Sequence, residues 1–371
     1  MRFSRFQAAE VLPLLLMALV AVSGVKADAA EEKRLFIYNW TDFIGRNTIA
    51  EFEKQTGIKV TYDVYDAEET METRLLAGSP GYDIVVASTE FFGREIKAGV
   101  YIPLDKSKLS NWKNLDPRIL AIQAAYDPGN AHAVPWMWGT TGIGYNVAEI
   151  KKRLPGAPVD SLKMVFDPEV VAKFKDCGVM MLDSATDVLP AALNYLGRDP
   201  DSKKPEDLAK AADVVKAVRP YIRKFHSSEY INALAGGNIC LVFGYSGDIF
   251  QARDRAAKAS DRQDIAYAIP KEGSLLWIDV AAIPKDAPDP NQALRFLDFM
   301  MEPKVAAASS ELTGYANANK AATALLPKDI SGNPLIYPPA DVRARFYTIT
   351  AGNAEQVRER TRLWTTIKTG R

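Results

Sequence analysis

Leu35-Phe36-Ile37-Tyr38, Ile58-Lys59-Val60-Thr61-Tyr62-Asp63-Val64 and Asp83-Ile84-Val85-Val86-Ala87 decide the fold class. The first is a short apolar run. The second alternates with period two, as a strand with one buried face does. The third is nearly all apolar, the composition of a strand covered on both faces in a parallel sheet. Between the first two, a helix is predicted to start at Asn47, whose side chain can cap the first turn. It carries Ile49 and Phe52 on one face and stops at Gly57, which tolerates a left-handed backbone. Residues 68–77 read as a second helix, ended by Gly78-Ser79-Pro80-Gly81. The order β-α-β-α-β predicts an α/β fold with a parallel sheet.

Outward from there the signals recur. Gly178-Val179-Met180-Met181-Leu182 and Ile239-Cys240-Leu241-Val242-Phe243 are strand-like, with helical patterns at 210–218 and 291–301. The Pro- and Gly-containing stretches 103–117 and 127–135 read as connectors. The Arg- and Lys-rich tail, 358–371, predicts a solvated helix face. The chain has 371 residues, 47% apolar and 25% charged, an ordinary globular composition with room for two domains. Its 46 basic and 46 acidic residues cancel, so there is no electrostatic footprint for nucleic acid or an anionic membrane surface. Two His and two Cys exclude zinc-finger and iron–sulfur frameworks.

The first residues read as a targeting segment. Arg2 and Arg5 precede the apolar run Val11-Leu12-Pro13-Leu14-Leu15-Leu16-Met17-Ala18-Leu19-Val20-Ala21-Val22. Small-residue cleavage patterns follow at Val25-Lys26-Ala27 or Ala27-Asp28-Ala29, so residues 1–27 are expected to be a cleavable signal peptide. The run falls short of the roughly 20 residues a spanning helix needs. Export implies a periplasmic, slightly acidic mature chain. In that oxidising compartment Cys177 and Cys240 favour a disulfide; the alternative is two buried thiols packing as small hydrophobes.

Enzyme signatures are weak. Ala77-Gly78-Ser79-Pro80-Gly81 misses the nucleophile-elbow pattern at its first position, and its Pro lacks the backbone N–H that an oxyanion hole would use. Gly139-Thr140-Thr141-Gly142-Ile143-Gly144 has the wrong glycine order for a dinucleotide fingerprint. His132 and His226 stand apart from any second ligand at metal spacing. No catalytic residue, cofactor or metal is expected.

Aromatics and carboxylates do fall together, at Trp40-Thr41-Asp42-Phe43, Tyr245-Ser246-Gly247-Asp248 and Trp277-Ile278-Asp279. In open α/β sheets ligands bind beyond the carboxyl ends of strands. Rings beside carboxylates suit an alkyl ammonium, because the faces attract the cation and pack the methylenes. A buried ammonium also needs a paired anion. The simpler alternative is core aromatics and turn-forming Asp residues.

Six segments resemble the periplasmic polyamine-binding proteins of ABC transporters, with a lean toward the putrescine-binding members. They are Tyr38-Asn39-Trp40-Thr41-Asp42, Tyr82-Asp83-Ile84-Val85-Val86-Ala87-Ser88, Trp138-Gly139-Thr140-Thr141-Gly142-Ile143-Gly144-Tyr145-Asn146, Phe225-His226-Ser227-Ser228-Glu229-Tyr230-Ile231-Asn232, Tyr315-Ala316-Asn317-Ala318-Asn319-Lys320-Ala321-Ala322 and Ile336-Tyr337-Pro338-Pro339-Ala340-Asp341-Val342-Arg343. The resemblance implies a two-lobed class II periplasmic binding protein fold, each lobe a central mixed sheet flanked by helices. The lobes would comprise 32–135 plus 262–302, and 136–261 plus 303–371, which puts Cys177 and Cys240 in one lobe. The implied protein is a monomer that binds putrescine, or spermidine, and delivers it to an inner-membrane ABC permease.

By the same resemblance Trp40 and Tyr245 are aromatic walls, although Trp is usual at position 245. Thr41 and Ser88 help hold one ammonium, and Asp248 and Asp279 pair with it. Asp42 matches a neighbouring acidic position, and Asp187 serves the far end of the ligand. Trp277 and Tyr315 are lining aromatics. Phe43 replaces a common Tyr. Asp187 is a methylene shorter than the alternative Glu, and with Trp277 and Thr41 it leans toward tolerating spermidine. Two other classes are a ferric-ion receptor of similar architecture, which would need paired tyrosinates, and a periplasmic hydrolase.

Overall fold

The computed structural model describes residues 33–78 and 81–370. The expected signal peptide lies outside the described residues, as do Ser79 and Pro80 of the imperfect elbow motif.

The opening segment folds as its pattern predicts. Strand β1 (Arg34–Trp40) leads to helix α1 (Thr48–Thr56), strand β2 (Lys59–Tyr65), helix α2 (Glu68–Leu76), strand β3 (Ile84–Ser88) and helix α3 (Thr89–Lys97). β1 lies between β2 and β3 and is parallel to both. The fully buried run of β3 and the half-exposed alternation of β2 follow from their places, since β2 is the edge strand. Gly57 ends α1 at φ 71°, its N–H donating to the Glu53 carbonyl. Asn47 precedes the helix but makes no side-chain cap bond. Its φ −102° and ψ 0° are already near helical, whereas a capping side chain needs an extended backbone to reach back.

The long strand β4 (Ala133–Asn146) runs through the middle of the molecule. Beyond it come β5 (Val179–Met181), β6 (Lys224–Phe225), β7 (Leu241–Tyr245), β8 (Ile265–Ala268) and β9 (Ser274–Ala282). The short strands β10 (Ala316–Asn317) and β11 (Phe346–Tyr347) complete the described sheet, whose order is β2-β1-β3-β9-β4-β7-β5-β6. β9 is antiparallel to both β3 and β4, so the sheet is mixed rather than parallel throughout. The first part of β4 pairs with β9, and the part from Thr141 to Asn146 pairs with β7 and β8. One strand therefore serves both halves of the sheet.

Each half has its own apolar packing. Phe52 from α1 meets Phe296 and Phe299 of the helix Pro290–Met300 edge-on or tilted, beneath Leu35, Ile37 and Ile84. In the other half Phe166 packs on Phe243, beside Val179, Met181, Leu189 and Val215. The C-terminal helix Ala354–Thr369 exposes Arg358 and Arg362, as its basic composition predicts, while Arg360, Trp364 and Ile367 are buried.

Cys177 and Cys240 form a disulfide, with Cα atoms 5.6 Å apart across 63 residues of chain. It joins the turn before β5 to the residue before β7, where Val179 and Leu241 stand opposite in register. Closing a loop of that length stabilises the folded chain by about 4 kcal/mol in the chain-entropy account. Intact mass of the exported protein should fall two mass units below the dithiol value. The Cys177→Ser, Cys240→Ser double variant should lose up to about 4 kcal/mol in urea melts; equal midpoints would show that the bridge contributes nothing.

Candidate functional site

Strand ends build the site. Trp40 ends β1, Tyr65 ends β2, Ser88 ends β3 and Tyr245 ends β7, while Trp277 and Asp279 come from the middle of β9. All six line one cavity between the two halves of the sheet, which opens to solvent. Thr41, Asp187 and Asp248 line it too.

The aromatic rings stand edge to face or tilted around this space. Trp40 and Tyr245 have centroids 6.5 Å apart, Tyr245 and Trp277 5.7 Å, and Trp40 and Tyr65 4.5 Å. Two glycines make the arrangement possible. A Cβ on Gly139, opposite Trp277 in the ladder, would fall 2.5 Å from the indole. One on Gly247 would fall 2.5 Å from the Tyr315 ring.

The carboxylates arrive by a shared device. After a strand the chain turns into a helix, and the first helical turn carries the acid: Glu68 in α2, Glu90 in α3, Asp187 in the helix Ala185–Tyr195, and Asp248 in the helix Ser246–Lys258. The positive end of each helix dipole partly offsets the burial of those charges. Asp187 accepts from Thr141 Oγ1 at 2.8 Å, Ser184 Oγ at 2.7 Å and Tyr245 Oη at 3.1 Å. Asp248 accepts from Tyr230 Oη at 2.6 Å and Tyr315 Oη at 2.5 Å. Glu68 accepts from the Ser88 N–H at 2.5 Å and Ser88 Oγ at 2.8 Å. Asp279 sits on a strand, directly opposite Ser88 in the ladder, without a helix end behind it.

Burial dominates the electrostatics. It pushes the Asp279 carboxyl up to about 8, with the facing Trp40 side chain acting the other way and Asp187 and Asp248 adding to the rise. Burial lifts Asp248 to about 6, against the two phenol hydrogen bonds. Asp187 and Glu68 are raised for the same first reason, Glu68 also by Asp279. Among the described residues no ion pair reaches Glu68, Asp187, Asp248 or Asp279. Glu90 differs, because Arg360 lies 2.9 Å and Arg94 3.6 Å from its carboxylate.

Two of the expected residues are placed elsewhere. Asp42 does not line the cavity; its carboxylate pairs with Arg255 at 2.7 Å on the partly exposed rim. Tyr315 stands behind the wall, supporting Asp248 through its hydroxyl and Trp277 through an edge contact at 5.1 Å. The Thr41 hydroxyl donates to the Tyr65 carbonyl. Tyr65, Glu68, Glu90 and Tyr126 line the cavity without having been singled out from sequence. Tyr65 and Glu68 flank the end of β2, so the strand-end rule applied to Trp40 would have reached them. The histidines are structural: His132 Nδ1 bonds Asp127, and His226 Nδ1 accepts from the Ser228 and Glu229 N–H groups. Among the described residues no three His, Cys, Asp or Glu side chains are grouped to hold a metal.

A family model described as bacterial extracellular solute-binding protein matches residues 47–338. The chain belongs to the bacterial extracellular solute-binding proteins. Curated relatives of this solute-binding protein include the putrescine-binding periplasmic protein PotF of Escherichia coli, 50% identical over 95% of this chain and 96% of that one. The putrescine-binding periplasmic protein SpuD of Pseudomonas aeruginosa is 48% identical, over 96% and 98% respectively. Among solved structures, the spermidine/putrescine ABC transporter substrate-binding protein PotD from Streptococcus pneumoniae superposes with TM-score 0.72 at 28% identity, covering 91% of this chain and 99% of that one. The two-lobed α/β fold and the polyamine-binding resemblance expected from sequence are those of these relatives. They are receptors rather than enzymes.

The raised carboxyls give this solute-binding protein a signed pH dependence. A carboxyl raised in the folded state binds a proton there that the unfolded chain releases, so stability falls as pH rises toward the folded value. For Asp279 that window runs from about 4 to about 8. Ligand-free stability should therefore decline more steeply between pH 6 and 7.5 in the native protein than in Asp279→Asn, by up to about 1.4 kcal/mol per pH unit. Identical slopes in urea melts would mean that Asp279 is ionised throughout.

Proposed function

We propose that this protein is an exported periplasmic receptor for a linear aliphatic polyamine, putrescine first and spermidine second, which it hands to an inner-membrane ABC permease. The carrying observation is the set of buried carboxylates without a cationic partner, standing between the rings of Trp40, Tyr245 and Trp277. A flexible dication supplies what each part lacks. Its methylenes pack on the rings, its ammonium groups are attracted to the ring faces, and the carboxylates replace the water it leaves behind. The proposed contacts are Asp248 and Asp279 for one ammonium, with Trp40, Thr41 and Ser88 around it, and Asp187 for the other.

Relatives named as putrescine-binding, spanning nearly the whole chain, support the ligand class and the transport role. The same relatives support the periplasmic location, for which residues 1–27 would be the export signal. We take the working form to be a monomer. The proposed lobes are 32–135 plus 262–302 and 136–261 plus 303–371. A ferric site would need tyrosinates, but burial and Asp248 hold the Tyr230 and Tyr315 phenols protonated. Neither that reading nor a hydrolase finds support among the relatives.

Thermal unfolding with putrescine, cadaverine, spermidine, spermine and agmatine is the direct test. A ligand at a thousand times its Kd adds about 4 kcal/mol to native stability, so a true ligand should raise the midpoint clearly. No shift with any of the five would sink the receptor reading. Asp279→Ala should weaken calorimetric binding of the diamine at least about a hundredfold, since removing one partner of a buried ion pair costs about 3–5 kcal/mol. An unchanged Kd would remove Asp279 from the site.

A further inference from the structure

The chain between β11 and the C-terminal helix touches both halves of the sheet at the cavity. The helix itself belongs to the second half. It packs on the helices Ala185–Tyr195 and Pro205–Val218. Its Trp364 Nε1 donates to Asp183 at 2.7 Å, Lys368 pairs with the same carboxylate at 2.8 Å, and the Trp364 ring meets Phe225 of β6 edge-on. Just before the helix, Thr350 donates its N–H and hydroxyl to Asp201 at 2.8 and 2.7 Å. The neighbouring Ile349 carbonyl accepts instead from Tyr126 Oη at 2.8 Å. Tyr126 lies against α3 in the first half, where a Cβ on Gly93 would stand 3.5 Å from its ring. Adjacent residues are thereby tied to opposite halves.

Arg360 makes a second bridge. Its guanidinium reaches from the anchored helix to Glu90, in the first turn of α3, at 2.9 Å, with the two side chains 10% and 7% exposed. Arg94 stands 3.6 Å from Glu90, beyond hydrogen-bond reach, and its fork is committed to Glu72 through two bonds of 3.0 Å. Burial raises the Glu90 carboxyl, and Arg360 is foremost among the groups that oppose the rise. A guanidinium keeps its proton, so in a buried position it requires the acid opposite. The Asp42–Arg255 and Asp66–His226 pairs are more exposed, where water and salt screen them. Glu90, Tyr126 and Ile349 all line the cavity. Both bridges therefore lie in its wall, and the halves cannot part there without breaking them.

Resting on the receptor reading for the identity of the solute, we propose that Arg360 is a positioning residue for solute retention. Paired with Glu90 and seconded by the Tyr126–Ile349 bond, it latches the C-terminal segment of one half onto α3 of the other. The latch sets how long a solute stays and not which solute enters. It acts on the release step, because release is what breaks it, and it acts alike on every solute the cavity holds.

Stopped-flow tryptophan fluorescence follows release, since Trp40 and Trp277 line the cavity. Putrescine and spermidine dissociation is measured from the native protein, Arg360→Gln, Glu90→Gln and the double variant. Arg360→Gln should shorten the lifetime of both amines about tenfold or more and by the same factor, and Arg360→Lys should recover part of it. Association rates should stay within about twofold of native. Glu90→Gln should shorten both lifetimes by itself and add nothing in the Arg360→Gln background, because the pair acts as a unit. A full Glu90 effect in that background would make Glu90 a direct solute contact and overturn the latch. Unchanged lifetimes in Arg360→Gln, or a loss confined to one amine, would overturn it as well. Should Arg360→Gln fail to fold, Tyr126→Phe removes only the second bridge and should shorten both lifetimes about threefold or more; an unchanged lifetime there overturns the proposal. Absence of binding of either amine to the native protein would instead overturn the receptor reading on which this rests.

Discussion

Buried carboxyl groups without a resident counter-ion are the constraint around which this structure is arranged. Carboxylates removed from water are tolerated only where other groups take over the work of hydration. Here the substitutes are short and local: hydroxyls on Asp187, two phenols on Asp248, a backbone N–H and a hydroxyl on Glu68. Helix N-termini behind Glu68, Asp187 and Asp248 add a diffuse positive field. Neutral donors of this kind hold the acids in place without cancelling them. The remaining deficit is what a cationic ligand can fill.

The fold serves that constraint through its strand ends. An α/β unit delivers the end of each strand and the beginning of the next helix to one edge of the sheet, so an aromatic and an acid a few residues apart arrive together. Two such edges face each other because β4 runs through both halves. The aromatic walls then need space against backbone, and Gly139 and Gly247 supply it, since any side chain there would displace Trp277 or Tyr315.

Contacts across the cavity rim bind distant parts of the chain to one another. Asp42 after β1 pairs with Arg255, Glu90 of α3 with Arg360 of the C-terminal helix, and the Tyr126 hydroxyl donates to the Ile349 carbonyl at 2.8 Å. Among the described residues Glu90 is thereby the one buried lining acid whose charge is met by cationic side chains. Its side chain closes the cavity wall and leaves the cation-binding role to its neighbours. Arg360 thereby shares the buried side of its helix with Trp364 and Ile367.

The amino-acid sequence by itself determined the element order 35–87, because period-two alternation, an apolar run and a glycine stop are local properties of the chain. It also determined that rings and acids would cluster after strands, which brought Trp40, Tyr245, Asp248, Trp277 and Asp279 into view. Local signals could not separate acids that line the cavity from those that do not. Asp42 and Asp279 read alike beside their aromatics, yet Arg255, more than two hundred residues after Asp42, takes one of them to the rim. Glu68, three residues after Tyr65, fits the same ring-and-acid pattern, but its contact with Ser88 comes only from the pairing of β2 and β3 on either side of β1. Tertiary structure alone decided which charges are left unpaired, since charge compensation depends on spatial neighbours and chain position does not encode them.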